Sequence, residues 1–313
     1  MKKYLVLLIL CIKFFSQTVF AEDIPYLLTA SSKGDIATVK AMLESGVNAN
    51  TKDADGITAL MYAARKDRAE VAAALIDKGA EVNAKDKGGW TPLMFAAKKN
   101  HVATVKVLLE KGADPKIRDD SGWSAFGMAA TSGFSEIVNL MIKHGVDANA
   151  KSDDGKTALM YAAKSGDVPT ITSLMSQGAQ PNAHDRLGTT PLMYAAREGH
   201  IPAVAYMLDK GANIDEQDHS RWTALTWAVK KAQVAVAKTL IEKGADVDHE
   251  DSEGTPLLQL AVDTNSVEMV KLLLESKADV KARDQYGLTA YVYALKKGNP
   301  EIVKLIKDAG GKY

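Results

Sequence analysis

Thr190-Pro191-Leu192-Met193-Tyr194-Ala195-Ala196 has three close copies elsewhere in the chain. They are Thr58-Ala59-Leu60-Met61-Tyr62-Ala63-Ala64, Thr91-Pro92-Leu93-Met94-Phe95-Ala96-Ala97 and Thr157-Ala158-Leu159-Met160-Tyr161-Ala162-Ala163. Looser copies begin at Ser124, Thr223 and Thr289, and neighbouring copies lie 33 residues apart. A fixed period of this size marks a stacked array, in which each unit buries its apolar face against the next.

Two glycine lattices carry the same period. Gly56, Gly89, Gly122, Gly155, Gly188, Gly254 and Gly287 form one, broken only by Arg221. Gly46, Gly79, Gly112, Gly145, Gly178, Gly211, Gly244 and Gly310 form the other, broken only by Lys277. The second lattice follows an apolar run each time, as in Val105 to Gly112, so it stops a helix with a left-handed residue. Within a unit the order is helix, turn, helix, extended loop. The threonine of the repeated phrase caps the first helix, and Pro92 and Pro191 then occupy its first position, where no donor is lost. Pro169, Pro202 and Pro300 fall in the first turn of the second helix. Helices of about 10 residues span about 15 Å and are too short to stand alone, so neighbour contacts must supply the stability.

These features resemble the ankyrin repeat. That family's phrase is G-x-T-P-L-H-x-A-A, then G-H, an apolar helix, and L-L-x-x-G-A-x-x-N/D-x-x-D-x-x-G. Gly188-Thr189-Thr190-Pro191-Leu192, Gly199-His200 and Leu108-Leu109-Glu110-Lys111-Gly112-Ala113-Asp114 match it. The resemblance covers residues 24–313 and implies an all-α repeat solenoid of about nine units, with loop fingers between the helix pairs. An atypical first unit spans 24–56, full units span 57–287 and a truncated unit spans 288–313. The family's histidine is missing throughout; Met61, Met94, Met160 and Met193 stand there in the close copies, as core filling. Arg221, Pro256 and Lys277 break the pattern, so the array is expected to be least stable between Arg221 and Lys277.

Residues 1–21 read as a signal peptide: Lys2 and Lys3, an apolar stretch from Leu5 to Ile12, and Val19-Phe20-Ala21 before the cut. Lys13 interrupts the run, so no membrane span is expected. Cys11, the single cysteine, leaves with that segment. The expected location is the periplasm or the exterior of a bacterium. The chain carries 39 basic and 39 acidic residues. Without the first 21 residues the balance is slightly acidic, which argues against nucleic acid as a partner.

No catalytic, cofactor-binding or metal-binding residue is expected. Gly155-Lys156-Thr157 lacks the upstream glycine of a phosphate loop, which is Ala150 here. Asp53-Ala54-Asp55-Gly56 lacks the closing glutamate of a calcium loop, which is Tyr62 here. The six histidines have no metal-ligand spacing; His101 and His200 share a turn position and read as structural caps. The loop aspartates Asp53, Asp86, Asp119, Asp185, Asp218, Asp251 and Asp284 recur on the lattice and read as turn formers.

Two rows remain. Trp90, Trp123 and Trp222 follow the loop glycine lattice position, where the resemblance implies a partner-facing finger; an exposed indole row anchors interfaces. The second row follows the Ala-Ala pair and includes Arg65, Lys66, Lys98, Lys99, Lys164, Arg197, Lys230 and Lys231. Of the sixteen positions in this row, ten are basic and two acidic, a segregated stripe suited to an acidic surface. The expected function is a non-enzymatic scaffold, monomeric, binding a protein partner on its concave face. The alternatives are a protective periplasmic protein supporting a redox or stress enzyme, a secreted effector binding a host protein, or a ligand-binding or enzymatic groove.

Overall fold

Nine helix pairs follow one another in the computed structural model, which describes residues 25–312. The expected signal peptide at 1–21, with Cys11, lies outside the described residues. The first helices of the pairs are α1 (Tyr26–Lys33), α3 (Ala59–Arg65), α5 (Pro92–Lys98), α7 (Ala125–Thr131), α9 (Ala158–Ser165), α11 (Pro191–Glu198), α13 (Ala224–Lys230), α15 (Leu257–Asp263) and α17 (Ala290–Lys297). The second helices are α2 (Ile36–Glu44), α4 (Ala69–Asp77), α6 (Val102–Glu110), α8 (Ser135–Lys143), α10 (Val168–Ser176), α12 (Ile201–Asp209), α14 (Val234–Glu242), α16 (Val267–Glu275) and α18 (Pro300–Asp308). The two sets form two layers, and each helix packs on its own partner and on its counterparts in the adjacent units. Among the described residues the fingers hold isolated antiparallel bridges, such as Lys52 with Thr58, and no strand.

The first helices are shorter than expected, at 7 or 8 residues, because both ends are fixed. Thr190 starts α11 by accepting a hydrogen bond from the Met193 N–H at 3.3 Å. In return the Thr190 N–H donates to the Met193 sulfur at 3.4 Å. Thr58–Met61, Thr91–Met94 and Thr157–Met160 repeat this reciprocal pair. The methionines are therefore more than filler: each supplies the acceptor that a glutamate or glutamine gives in a capping box. In α13 the Thr226 hydroxyl takes that role for the Thr223 N–H at 3.3 Å.

Pro256 has no N–H and no side-chain cap, so α15 lacks both bonds. The acceptor at the methionine position is then left over: the Gln259 Nε2 donates to Asp284 at 2.9 Å, while its Oε1 is buried without a donor.

Alanine pairs such as Ala96-Ala97 and Ala195-Ala196 are fully buried. Their small side chains let most neighbouring first helices pack more closely than neighbouring second helices do, with α13 on α15 the exception. The second helices bury spaced branched residues, as Ile137, Val138 and Met141 do in α8. Gly112 ends α6 at φ 88°, while Arg221 and Lys277 adopt φ 59° and 66° at positions that are glycine in the other units.

Side chains also clamp one unit to the next. The Asn50 Nδ2 donates to the Gly79 carbonyl and its Oδ1 accepts from the Glu81 N–H, closing the end of α4. Asn83, Asn149 and Asn182 repeat the clamp. His101 and His200 do not cap their own helices. Each ring bonds a carbonyl at the end of the preceding unit's first helix, Ala64 at 2.9 Å and Lys164 at 3.0 Å. In α18, Ile302 and Ile306 face the core while Lys304, Lys307 and Asp308 stay exposed, as a solvated terminal cap requires.

Candidate functional site

The finger loops are built on the lattice aspartates. The Asp185 Oδ1 accepts from the backbone N–H groups of Leu187 and Thr189 at 2.8 and 2.9 Å. Asp53, Asp86, Asp119, Asp218, Asp251 and Asp284 close their turns in the same way. In the unit lacking this aspartate, the Ser152 hydroxyl accepts from the Lys156 N–H at 3.1 Å.

The second carboxylate oxygen meets a row of residues that sequence reasoning missed. These occupy the fourth position of most first helices: Tyr62, Phe95, Met128, Tyr161, Tyr194, Trp227, Leu260 and Tyr293. Tyr62, Tyr194 and Tyr293 donate to Asp53, Asp185 and Asp284 at 2.8, 2.7 and 2.8 Å. The Trp227 indole N–H donates to Asp218 at 3.0 Å. The signal was in view, because the tyrosine belongs to the repeated phrase itself, nine residues after the aspartate.

Burial, and then the Asp185 carboxylate, push the Tyr194 phenol well above its usual range. Burial and Asp53 raise Tyr62 likewise, while for Tyr293 the bond to Asp284 leads. Burial favours the neutral form of Asp154, but hydrogen bonds from Lys156 and Ser152 outweigh it and hold that carboxyl at about 2.

The indoles of Trp90, Trp123 and Trp222 are half-buried, rather than forming the exposed row expected. Each has an aromatic neighbour. Trp90 tilts against Phe95 with centroids 5.1 Å apart, and Trp222 meets Trp227 edge-on at 4.7 Å. Trp123 packs across the unit boundary on Tyr161 at 5.1 Å. Trp90 and Trp123 also line one cleft together with Lys98, Asp119, Met128 and Thr131.

The basic row lies at the ends of the first helices. Arg65, Lys98, Lys164, Arg197 and Lys230 stand in the last turns of α3, α5, α9, α11 and α13. Lys66, Lys99 and Lys231 are exposed C-cap residues. Three of these cations reach the aromatic rows. The Arg65 guanidinium lies 4.7 Å from the Tyr62 ring, and Arg197 lies 5.0 Å from Tyr194 and 5.3 Å from Trp227. The Lys230 ammonium is 6.0 Å from Trp222, the outer limit of such a contact. The two predicted rows thus meet at Trp222, directly through Lys230 and indirectly through Arg197 and Trp227 of the unpredicted row.

Ion pairs are commoner on the second-helix layer, although Lys40, Lys143, Lys304 and Lys307 have none among the described residues. On the second helices Lys106, Lys238 and Lys271 pair with Glu110, Glu242 and Glu275, and Lys111 and Lys243 pair with Asp77 and Asp209 of the preceding unit. On the first helices Arg197 pairs with Glu198 and Lys297 with Asp263. Among the described residues, Arg65, Lys66, Lys98, Lys99, Lys164, Lys230 and Lys231 have no carboxylate at ion-pair distance. Among those residues also, no helix is long and apolar enough to cross a membrane.

Comparison with known proteins agrees with this architecture. The family model described as ankyrin repeats (3 copies) matches residues 27–119, 111–185, 164–251 and 248–312. The solved ankyrin repeat domain of human ASB11 superposes with a TM-score of 0.64 at 24% identity, covering 72% of this chain and 100% of that one. A search of curated proteins finds no match. With family matches running from residue 27 to residue 312, the chain belongs to the ankyrin-repeat family.

Proposed function

We propose that this protein is a non-enzymatic scaffold, exported to the periplasm or exterior of a bacterium, that binds an acidic protein surface along its first-helix layer. Ankyrin repeats are generally protein–protein interaction modules, which supports the class. The run of unpaired cations along the first-helix ends carries the finer reading. Among the described residues, five cations of the second-helix layer pair within the protein, while Lys40, Lys143, Lys304 and Lys307 there do not. The first-helix row keeps eight cations without carboxylate partners, Lys296 among them, and sets aromatic rings between several of them. Unpaired cations of one sign along one face raise the association rate with an opposite surface and make it salt-dependent. The closer packing of the first helices favours an array that bends toward that layer, turning the row into the lining of a groove. The export reading rests on the sequence of residues 1–21.

Charge reversal tests the proposal. Lys98, Lys99, Lys230 and Lys231 are changed together to glutamate in the purified protein, which is then used to capture partners from envelope extracts at low and high salt. The proposal expects a partner retained by the wild type at low salt, released at high salt and lost in the variant. A control with Lys106, Lys238 and Lys271 changed to glutamate should keep it. Equal capture by all three proteins would overturn the proposal.

A further inference from the structure

Three loop aspartates, Asp86, Asp119 and Asp251, are satisfied at one carboxylate oxygen only among the described residues. In four units a tyrosine or tryptophan of the following helix donates to the second carboxylate oxygen, as Tyr194 does to Asp185 at 2.7 Å. In the unit that opens at Trp123 that position is Met128, which carries no donor. The Asp119 Oδ1 accepts from the Ser121 and Trp123 N–H groups at 3.0 and 2.8 Å. Its Oδ2 receives no hydrogen bond among the described residues and stays open to solvent, although Asp119 as a whole is only 8% exposed. A ligand that covers this oxygen without supplying a donor would strand a charged acceptor, which is costly. Asp86 and Asp251 also lack a ring donor, opposite Phe95 and Leu260. Asp119 is the one of the three that lines the cleft between Trp90 and Trp123, a space of about 340 Å³. That volume lies at the small end of ligand pockets and suits one side chain.

We propose that this cleft receives a tyrosine from an acidic segment of the partner, with its ring beside the indoles of Trp90 and Trp123 and its hydroxyl donating to the Asp119 Oδ2. The inference rests on the first-helix layer being the interaction surface. The protein itself supplies the template, because the incoming hydroxyl makes to Asp119 the bond that Tyr62 and Tyr194 make to Asp53 and Asp185 from within, reaching it over the buried Met128. The charges select the class of side chain. Lys98 on the wall and Lys99 beside it repel an ammonium or guanidinium group and attract carboxylates flanking a neutral phenol. Phenylalanine would fit the indoles but leave the Oδ2 dry and without a donor. Thr131 stands in this unit where a lysine or arginine ends most first helices, so no long side chain from that position crosses the opening.

The test uses fluorescently labelled acidic heptapeptides carrying a central tyrosine, phenylalanine, arginine or alanine, titrated by anisotropy against the full chain. The tyrosine peptide should bind about tenfold or more tightly than the phenylalanine peptide, the effect of one hydrogen bond to a charged group. Asp119→Asn retains an Oδ1 acceptor for the turn but presents an amide where the Oδ2 stood, so it should erase that preference at unchanged helicity. Met128→Tyr should fill the place from within, raise Tm and reduce the tyrosine peptide to the affinity of the alanine peptide.

Equal binding of the tyrosine and phenylalanine peptides, tightest binding of the arginine peptide, no binding of any peptide, or Met128→Tyr binding as wild type does would each overturn the inference. Acidic peptides that bind in a Lys98-dependent way without tyrosine preference would leave the scaffold reading standing. Absence of peptide binding together with charge-insensitive partner capture would remove both.

Discussion

Changing Arg221, Ala232 and Lys277 together to glycine should stabilise the array locally. These residues hold φ angles of 59°, 52° and 66°, where a side chain meets its own carbonyl and costs about 1–2 kcal/mol. Glycine removes that strain but gains about 0.4–1 kcal/mol of freedom in the unfolded chain. The net is about 0.5–1 kcal/mol per site and about 2 kcal/mol for the three. Little is lost in exchange: the Arg221 side chain makes one long bond, to Gln217 at 3.4 Å. Asn265 also has positive φ, at 56°, but asparagine tolerates that region and can stay.

The same segment has further weaknesses. Pro256 leaves α15 uncapped, the Gln259 Oε1 lacks a donor, and α13 packs on α15 less closely than other neighbouring first helices pack on each other. Stability in such arrays is a sum of unit and neighbour terms, so the effect should stay local. Hydrogen exchange of the wild type should show α13 to α16 opening before α3 to α6, and the triple variant should slow exchange there by about tenfold or more. Uniform protection in the wild type, or a variant that exchanges at the wild-type rate in α13 to α16, would refute the reasoning.

Alkaline pH should loosen the finger loops. Tyr62, Tyr161, Tyr194 and Tyr293 have raised phenol values. Their contribution is therefore fully present below the unfolded value near 10 and is lost as pH rises through the folded values. Tm followed from pH 8 to 12 should fall above about pH 10, with tyrosinate absorbance of the folded protein appearing later than in denaturant. Met193→Leu strands the buried Thr190 N–H and should cost about 1 kcal/mol more than Met207→Leu; Met207 is equally buried in α12 but outside any capping pair. Paired urea titrations measure the difference. Trp123→Ala removes a half-buried indole and its contact across the unit boundary, so it should cost about 2 kcal/mol in the same assay.

The period, the capping threonines and the glycine stops were legible because each is a local backbone demand repeated in sequence. Arg221 and Lys277 stood out for the same reason, and both do hold the left-handed angle their lattice positions require. Ala232 was legible by the same rule but was missed. It stands on a third 33-residue lattice with Gly34, Gly133, Gly166, Gly199 and Gly298, where Asp67, Asn100 and Asn265 fill the other positions, and it holds φ of 52°. The roles of Met61, Met94, Met160 and Met193 were hidden because a thioether acting as an acceptor is invisible to apolar patterning. The Trp90, Trp123 and Trp222 row could be found but its burial could not. That depends on which ring the next helix supplies, a contact between residues of different elements. The tyrosine bonds to the loop aspartates span nine residues in sequence and were read only as helix and turn.

Face-specific photocrosslinking tests the account most directly. A benzophenone amino acid is placed at Lys99 or Lys231 on the first-helix layer, and at Lys238 or Lys271 on the second, and each protein is irradiated with its envelope extract. The account predicts one salt-sensitive, acidic adduct from positions 99 and 231 and none from 238 and 271. The same adduct from the second-helix positions, with none from the first, would contradict it.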